Sequence, residues 1–319
     1  VGCLEIGEAM DVEVRKQGLL EKDVMLGNTL VDMYAKCGSL EKAREVFEQL
    51  PERNIVSWSA LIAGYAQHER GDEALKCFRQ MKDVGVSPNV VTYICLLKAC
   101  GIVGSLEIGE DIDMEVRKKG LLMEDIVLGN ALVDMYSRCG ALEKAQEVLK
   151  QLPKRDVVSW NAMIAGYVQM GFGDEALNCF RQMKNEAVCP NVVTYICILK
   201  ALGKFGALEK GMRIHDEIKR NGLSNDLSVG NALIGMYMRC RLFVRARDAF
   251  DNLPMHDTLS WTSLLAGYAE NGHAVEALKC FKQMQLEGVS PDILTFACTM
   301  KACGIIKSTR KGKEIHAMI

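Results

Sequence analysis

The tryptophans of this 319-residue chain, Trp58, Trp160 and Trp261, stand 102 and 101 residues apart, and their surroundings repeat with them: IVSWSALIAGYAQ, VVSWNAMIAGYVQ and LSWTSLLAGYAE. A chain with such a period folds as copies of one unit. The six prolines keep the same time, Pro51, Pro153 and Pro254 in one phase and Pro88, Pro190 and Pro291 in the other.

Punctuation inside the period divides it into three helical hairpins. Residues 24–54, 126–156 and 227–257 are short units of 31 residues; 55–89, 157–191 and 258–292 are units of 35 that carry the tryptophan. Residues 90–125 and 192–226 are units of 36 and 35, with partial copies at 1–23 and 293–319. Self-similarity at this spacing is the signature of a solenoid, because a single helical pair cannot bury its apolar face and has to stack on neighbours. In 126–156, Leu132, Val133, Met135 and Tyr136 share one face of a first helix, Cys139 and Gly140 close it, and Leu142, Ala145 and Val148 recur at helical spacing on a second. Nothing alternates with period two for the length of a strand. The expected fold is all-α, a single α-solenoid of stacked helix-turn-helix repeats over 1–319. The array starts at Val1 and stops at Ile319 in mid-hairpin, which reads as a stretch of something longer.

The composition, 49% hydrophobic and 25% charged, contains no apolar run near the roughly 18 residues of a membrane span, so no membrane partner is expected. Thirteen cysteines raise the question of disulfides or zinc, and the repeat answers it. Cys37, Cys139 and Cys240 are equivalent, as are Cys77, Cys179 and Cys280, and Cys95, Cys197 and Cys298. A small buried hydrophobe used once per unit explains the pattern. There is no C-x-x-C, and where Cys95 has Cys100 and Cys298 has Cys303, the middle copy has Leu202, so no metal or other cofactor is expected.

The succession of a 31-residue unit, a 35-residue unit with S-W-[NST] and a longer unit with T-[YF]-x-x-x-[LM]-K-A resembles the plant pentatricopeptide repeat family. It is similar to the subclass that cycles through ordinary (P), long (L) and short (S) motifs. GNALVDMYSRCGALEKAQEV is the short type, VVSWNAMIAGYVQMGFGDEALNCFRQMKNEAVCPN the ordinary type and VVTYICILKALGKFGALEKGMRIHDEIKRNGLSND the long type. The W-x-x-L-G-x-x-Y signature of tetratricopeptide repeats is absent.

The resemblance implies a right-handed superhelix that binds single-stranded RNA sequence-specifically, one base per hairpin. It assigns the reading to the fifth residue of each motif and to the last. Asn28 with Asn54 favours C over U, and Ser59 with Asn89 favours A. Asn130 with Asp156 points to U, Asn161 with Asn191 to C or U, Asn231 with Asp257 to U, and Thr262 with Asp292 to G. The long motifs carry Ile94, Ile196 and Ala297 at the fifth position, which cannot hydrogen-bond a base edge. The implied footprint is 5′-(C/U)-A-N-U-(C/U)-N-U-G-N-3′. At the second position the family flanks the base with an apolar wedge, here Met25, Val56, Val127, Val158 and Leu259, with Ser228 departing from the pattern. Lys36, Arg138 and Arg239, thirteenth in the short motifs, are placed to meet phosphates, although a cation in the last turn of a helix also suits the macrodipole without any ligand. The net charge of −2 makes a strongly salt-driven grip unexpected.

The last-residue column, Asp23, Asn54, Asn89, Asp125, Asp156, Asn191, Asp226, Asp257 and Asp292, has a second explanation, since Asn and Asp are favoured helix N-caps. Capping does not explain why the fifth residue is Asn, Ser or Thr in every short and ordinary motif and apolar in the long ones. By resemblance the array belongs to an organellar factor, of mitochondrion or chloroplast, for C-to-U editing or RNA processing. Small multiple organellar editing factors would dock on its long motifs, and a deaminase-type C-terminal extension would do the chemistry. That chemistry is not expected within these residues: His215, Asp216 and Glu217 spell H-x-E, but the P-C-x-x-C that would complete a zinc deaminase is missing. A helical scaffold holding a peptide is the competing function.

Overall fold

A computed structural model describes residues 2–20 and 22–307, and among them are eighteen α-helices, one 3-10 turn and no strand. Residues 308–319, which the repeat pattern assigns to the last partial hairpin, lie outside the described residues. The described helices form an all-α solenoid of helical repeats, divided into two compact units between Gly166 and Tyr167.

The first unit contains α1 (Gly2–Lys16), α2 (Val24–Lys36), α3 (Leu40–Gln49), α4 (Ile55–Gln67), α5 (Gly71–Asp83), α6 (Val90–Val103), α7 (Leu106–Lys118), a 3-10 turn (Leu121–Met123), α8 (Ile126–Arg138) and α9 (Leu142–Gln151). The division falls within α10 (Val157–Met170). The second unit contains α11 (Gly173–Asn185), α12 (Val192–Phe205), α13 (Leu208–Arg220), α14 (Leu227–Arg239), α15 (Phe243–Asp251), α16 (Thr258–Glu270), α17 (Ala274–Leu286) and α18 (Ile293–Ile305). Within the first unit α2, α4, α6 and α8 pack in series, and within the second α12, α14, α16 and α18 do. In both units second helices such as α3, α5, α7, α15 and α17 fold back on their own first helix and also touch the next one.

Two local rules set the helix ends. Every first helix outside α10 begins after an Asn or Asp whose backbone is extended and whose side chain accepts from the backbone N–H groups of the first turn. Asp156 does the same for α10, accepting from Val158 N and Ser159 N at 2.9 Å each. Most first helices then stop in a left-handed residue, which frees the chain to reverse into the second helix. At the end of α2 and α8 that residue is Gly38 or Gly140; at the end of α14 it is Arg241, with φ of 59°.

Apolar burial joins the hairpins. Phe47 of α3 meets Trp58 of α4 edge-on with ring centroids 4.6 Å apart, and Phe250 repeats the contact with Trp261 at 4.5 Å. Gly64 lets α4 lie close against α2, because a Cβ there would stand 2.5 Å from the Ala35 methyl. Second helices are laced to one another at the surface by pairs such as Lys42 with Glu8 at 2.6 Å, exposed enough to contribute little, and Lys184 with the half-buried Glu217 at 2.9 Å.

The cysteine columns separate once packed. Cys77, Cys179 and Cys280 are core residues, and burial pushes their thiols up to about 11, 12 and 11. The column expected to be buried at the helix ends is not: Cys37, the C-cap of α2, is exposed, and its equivalents Cys139 and Cys240, the C-caps of α8 and α14, are half-buried. No cluster of His, Cys, Asp and Glu suited to a metal ion occurs among the described residues. No helix among them is long and apolar enough to cross a membrane.

Arg241, an exposed residue, adopts a left-handed conformation that L side chains disfavour by roughly 1–2 kcal/mol. Arg241→Gly is therefore expected to stabilise the protein by about 1 kcal/mol in urea unfolding, and a destabilised variant would count against that strain.

Candidate nucleic-acid interface

The second and fifth residues of a first helix stand in register beside the cap of the next first helix. In the first unit Met25, Asn28, Asn54, Val56, Ser59 and Asn89 line one open groove of about 790 Å³. In the second unit Leu259 and Thr262 line a smaller one of about 200 Å³, with Arg239 on its wall. Sequence positions 26 to 35 residues apart thus become neighbours, because the chain returns to the same edge after every hairpin.

The fifth residues are buried at the floor. Asn28, Asn130 and Asn231 of the short motifs and Ser59 and Thr262 of the ordinary motifs are all less than a tenth exposed, and Asn161 is half-buried. Their hydrogen bonds run towards the next cap. Asn130 Nδ2 donates to Asp156 Oδ1 at 3.1 Å, and Asn28 Nδ2 to Asn54 Oδ1 at 3.4 Å, a longer contact. The Oδ1 atoms of Asn28, Asn130 and Asn231 find no hydrogen-bond partner among the described residues, which is costly for a buried acceptor and recurs in all three short motifs. Ser59 and Thr262, whose side chains are shorter, reach instead the hydroxyls of Thr92 and Thr295, each at 2.7 Å.

The caps have two duties. Asp156 accepts from Val158 N, Ser159 N, Ser159 Oγ and Asn130 Nδ2. Burial works to raise its carboxyl, but these hydrogen bonds outweigh it and hold the group below the usual carboxylate range. Asn54, Asn89, Asn191 and Asp292 form capping boxes with the third residue of the helix they start, while Asp257 caps through Ser260 N at 2.7 Å.

The second-position residues Met25, Val56, Val127, Val158 and Leu259 are exposed, as is Ser228. The same column continues through the long motifs, where Val91, Val193 and Leu294 are exposed as well. Their place in the repeat is the signal that marks these three, although the fifth residues of their motifs are apolar. Ile94 and Ile196 are half-buried and Ala297 is exposed.

The cations divide. Lys36 is held by Asp32 at 2.6 Å and Arg138 by Asp134 at 2.8 Å, each one helical turn away. The third short motif has Gly235 where the others have the aspartate, and Arg239 makes no ion pair among the described residues. His215 has a structural role: its Nδ1 lies 2.7 Å from the Tyr237 hydroxyl, where Asp11 and Asp113 accept from Tyr34 and Tyr136 at 2.9 and 2.8 Å. Burial lowers the His215 pKa, which favours a neutral ring.

Removing a cap oxygen tests its structural duty. Asp156→Ala is expected to cost about 1 kcal/mol of stability, whereas Asp156→Ser, which keeps a capping oxygen, costs less; thermal melts of the two variants that coincide would show that capping at α10 is immaterial.

Comparison with known proteins places this architecture. The PPR repeat family model matches residues 53–101, 155–204 and 256–304, and the PPR repeat model matches 28–55, 130–157 and 193–223, together more than half of the chain. A chloroplastic pentatricopeptide repeat-containing protein of Arabidopsis thaliana is 39% identical over 289 residues, covering 91% of this chain and 47% of the relative. A mitochondrial one from the same plant is 37% identical over 318 residues, covering 99% of this chain and 31% of the relative, so the chain spans half or less of either relative's length. The crystal structure of the pentatricopeptide repeat protein PPR10 in complex with an 18-nt psaJ RNA element shares the fold, with a TM-score of 0.77 at 21% identity over 98% of this chain and 47% of that one. Repeat period, hairpin packing and family match agree, and the chain belongs to the pentatricopeptide repeat family.

Proposed function

We propose that this array binds single-stranded RNA and reads it one base per hairpin, as the recognition part of an organellar factor for C-to-U editing or RNA processing. The observation that carries the proposal is the groove of the first unit, where a buried polar fifth residue, a capping Asn and an exposed apolar second residue recur side by side. A base inserted there stacks against the apolar side chain and meets amide or hydroxyl groups on its Watson–Crick edge. RNA also accompanies PPR10, the structural relative. In the motif assignment proposed here, residues 24–54, 126–156 and 227–257 are S motifs, 55–89, 157–191 and 258–292 are P motifs, and the rest are L motifs.

The proposed base readers are Asn28 with Asn54, Ser59 with Asn89, Asn130 with Asp156, Asn161 with Asn191, Asn231 with Asp257 and Thr262 with Asp292. They give the footprint 5′-(C/U)-A-N-U-(C/U)-N-U-G-N-3′. Met25, Val56, Val127, Val158 and Leu259 flank bases, and Val91, Val193 and Leu294 extend that role to L motifs, where a base is stacked without being read. The names of the relatives, chloroplastic and mitochondrial, support an organellar location. A deaminase-bearing extension and small editing co-factors docking on the L motifs complete the proposal for the whole protein.

Titration with RNA carrying the footprint, and with the same RNA changed from G to U opposite Thr262 and Asp292, tests the reading. The wild type is expected to favour G by about tenfold and Thr262→Asn to favour U, in line with roughly 1–3 kcal/mol per well-placed base contact. Equal binding of both RNAs by both proteins would move the peptide-scaffold function ahead.

Salt dependence gives a second test. Arg239 has no aspartate to hold it, so Arg239→Gln is expected to weaken binding about threefold and to reduce the slope of log affinity against log salt by about 0.7, the value for one phosphate of a single strand. Lys36→Gln and Arg138→Gln, each removing a cation already paired to an aspartate, are expected to change the slope less; equal effects from all three would contradict the division.

A further inference from the structure

The capping boxes of α6 and α18 contain a threonine whose hydrogen bonds are fully used. Thr295 is fully buried, and its Oγ1 lies 2.6 Å from Asp292 Oδ1, 3.2 Å from Asp292 N and 2.7 Å from Thr262 Oγ1. A hydroxyl has one proton and two lone pairs. The carboxylate oxygen can only accept, so the Thr295 proton goes to Asp292; the Asp292 N–H fills one lone pair. Thr262 is left a single role, to donate its own proton into the second. The hydroxyl and backbone N–H of Thr295 hold the Asp292 carboxyl below its usual range, which keeps it ionised and the direction fixed at neutral pH.

The same closure occurs at α6. Thr92, also fully buried, donates from Oγ1 to Asn89 Oδ1 at 2.9 Å and accepts from Asn89 N at 3.3 Å. Asn89 Oδ1 also accepts the Thr92 backbone N–H at 2.9 Å, which identifies that atom as the amide oxygen. Ser59 Oγ, at 2.7 Å, must therefore donate to Thr92.

We infer that Thr92 and Thr295, although each belongs to the next hairpin, determine base specificity by fixing the hydroxyls of Ser59 and Thr262 as acceptors towards a bound base. The inference rests on the RNA reading proposed above and deepens it. With its proton committed, Thr262 offers a base only lone pairs, and Asp292 beside it is a carboxylate that also only accepts. Guanine answers with two adjacent donors, N1–H and N2–H, whereas adenine sets a lone pair at N1 against one donor at N6. At the other junction Ser59 accepts while Asn89, its oxygen held by the cap, has Nδ2–H to donate, and adenine fits that pair. The S motifs work differently: Asn130 reaches the Asp156 carboxylate directly, and Ser159 in that capping box touches no fifth-position hydroxyl.

The test compares affinities for footprint RNAs carrying G or A opposite Thr262. The wild type is expected to favour G by about tenfold. Thr295→Val keeps the shape but removes the acceptor, so the Thr262 hydroxyl turns and donates to adenine N1; the G-to-A ratio is expected to fall to about twofold or less. Thr295→Ser restores it. The U preference opposite Asn130 stays unchanged in both variants and in Ser159→Ala, which loses a capping hydroxyl of the same kind. Thr92→Val repeats the test with A over G opposite Ser59, so the outcome does not depend on one variant folding. If both valine variants fold and keep the wild-type ratios, or if the serine variant fails to restore them, the inference is overturned. A wild type indifferent to the base overturns the RNA reading itself, and this inference with it, a result recognisable because no variant is needed to see it.

Discussion

The hydrogen bonds of the helix caps are the constraint on which everything else hangs. A first helix leaves its leading N–H groups without partners inside the helix, and in this chain an Asn or Asp side chain supplies them at every junction. In two short motifs the same side chain also accepts from the fifth residue of the preceding first helix, Asp156 from Asn130 and Asn54 from Asn28, so there the residue that starts one hairpin also orients the polar group of its neighbour. Fold and interface share their atoms here. On the RNA reading proposed above, a mutation in the cap column changes stability and recognition together, and only ratios between bases separate the two.

The position of the groove follows from packing rather than from charge. Trp58 and Trp261 anchor two of the three ordinary hairpins on the aromatic ring of the hairpin before, and Gly64 permits the close approach of α4 to α2. With that layer fixed, the second residues of the first helices have nothing to pack against and remain exposed, a row of apolar side chains recurring at the same place in both units. Two of the three cations on this edge are held by their own aspartates, in keeping with a chain of net charge −2. The proposed recognition through stacking and hydrogen bonds suits such a surface better than a phosphate-driven grip would.

Much of the fold was legible because a repeat multiplies every weak signal: one Asn or Asp before one apolar run says little, nine in register say where helices begin. The exposed cysteine at the end of α2 was not legible, since a column of equivalent small residues looks the same whether it faces the core or caps a helix. The second-position residues of the long motifs were visible but masked by the apolar residues three places on. Arg239 differs from Lys36 and Arg138 only through a residue four positions away, Gly235 in place of aspartate, a difference that matters once the helix brings the two onto one face.

The sequence by itself determined the all-α class, the hairpin period, the caps and the polar character of the fifth residues, because helix periodicity and capping are local and act over a few neighbouring residues. Only the tertiary structure decided what those fifth residues touch. Ser59 and Thr92 are 33 residues apart, and so are Thr262 and Thr295; their hydroxyls meet because consecutive hairpins stack in one register. Which of two hydroxyls donates depends on how many acceptors and protons a closed cluster contains, and that count exists only when the chain has folded and water has been excluded from it.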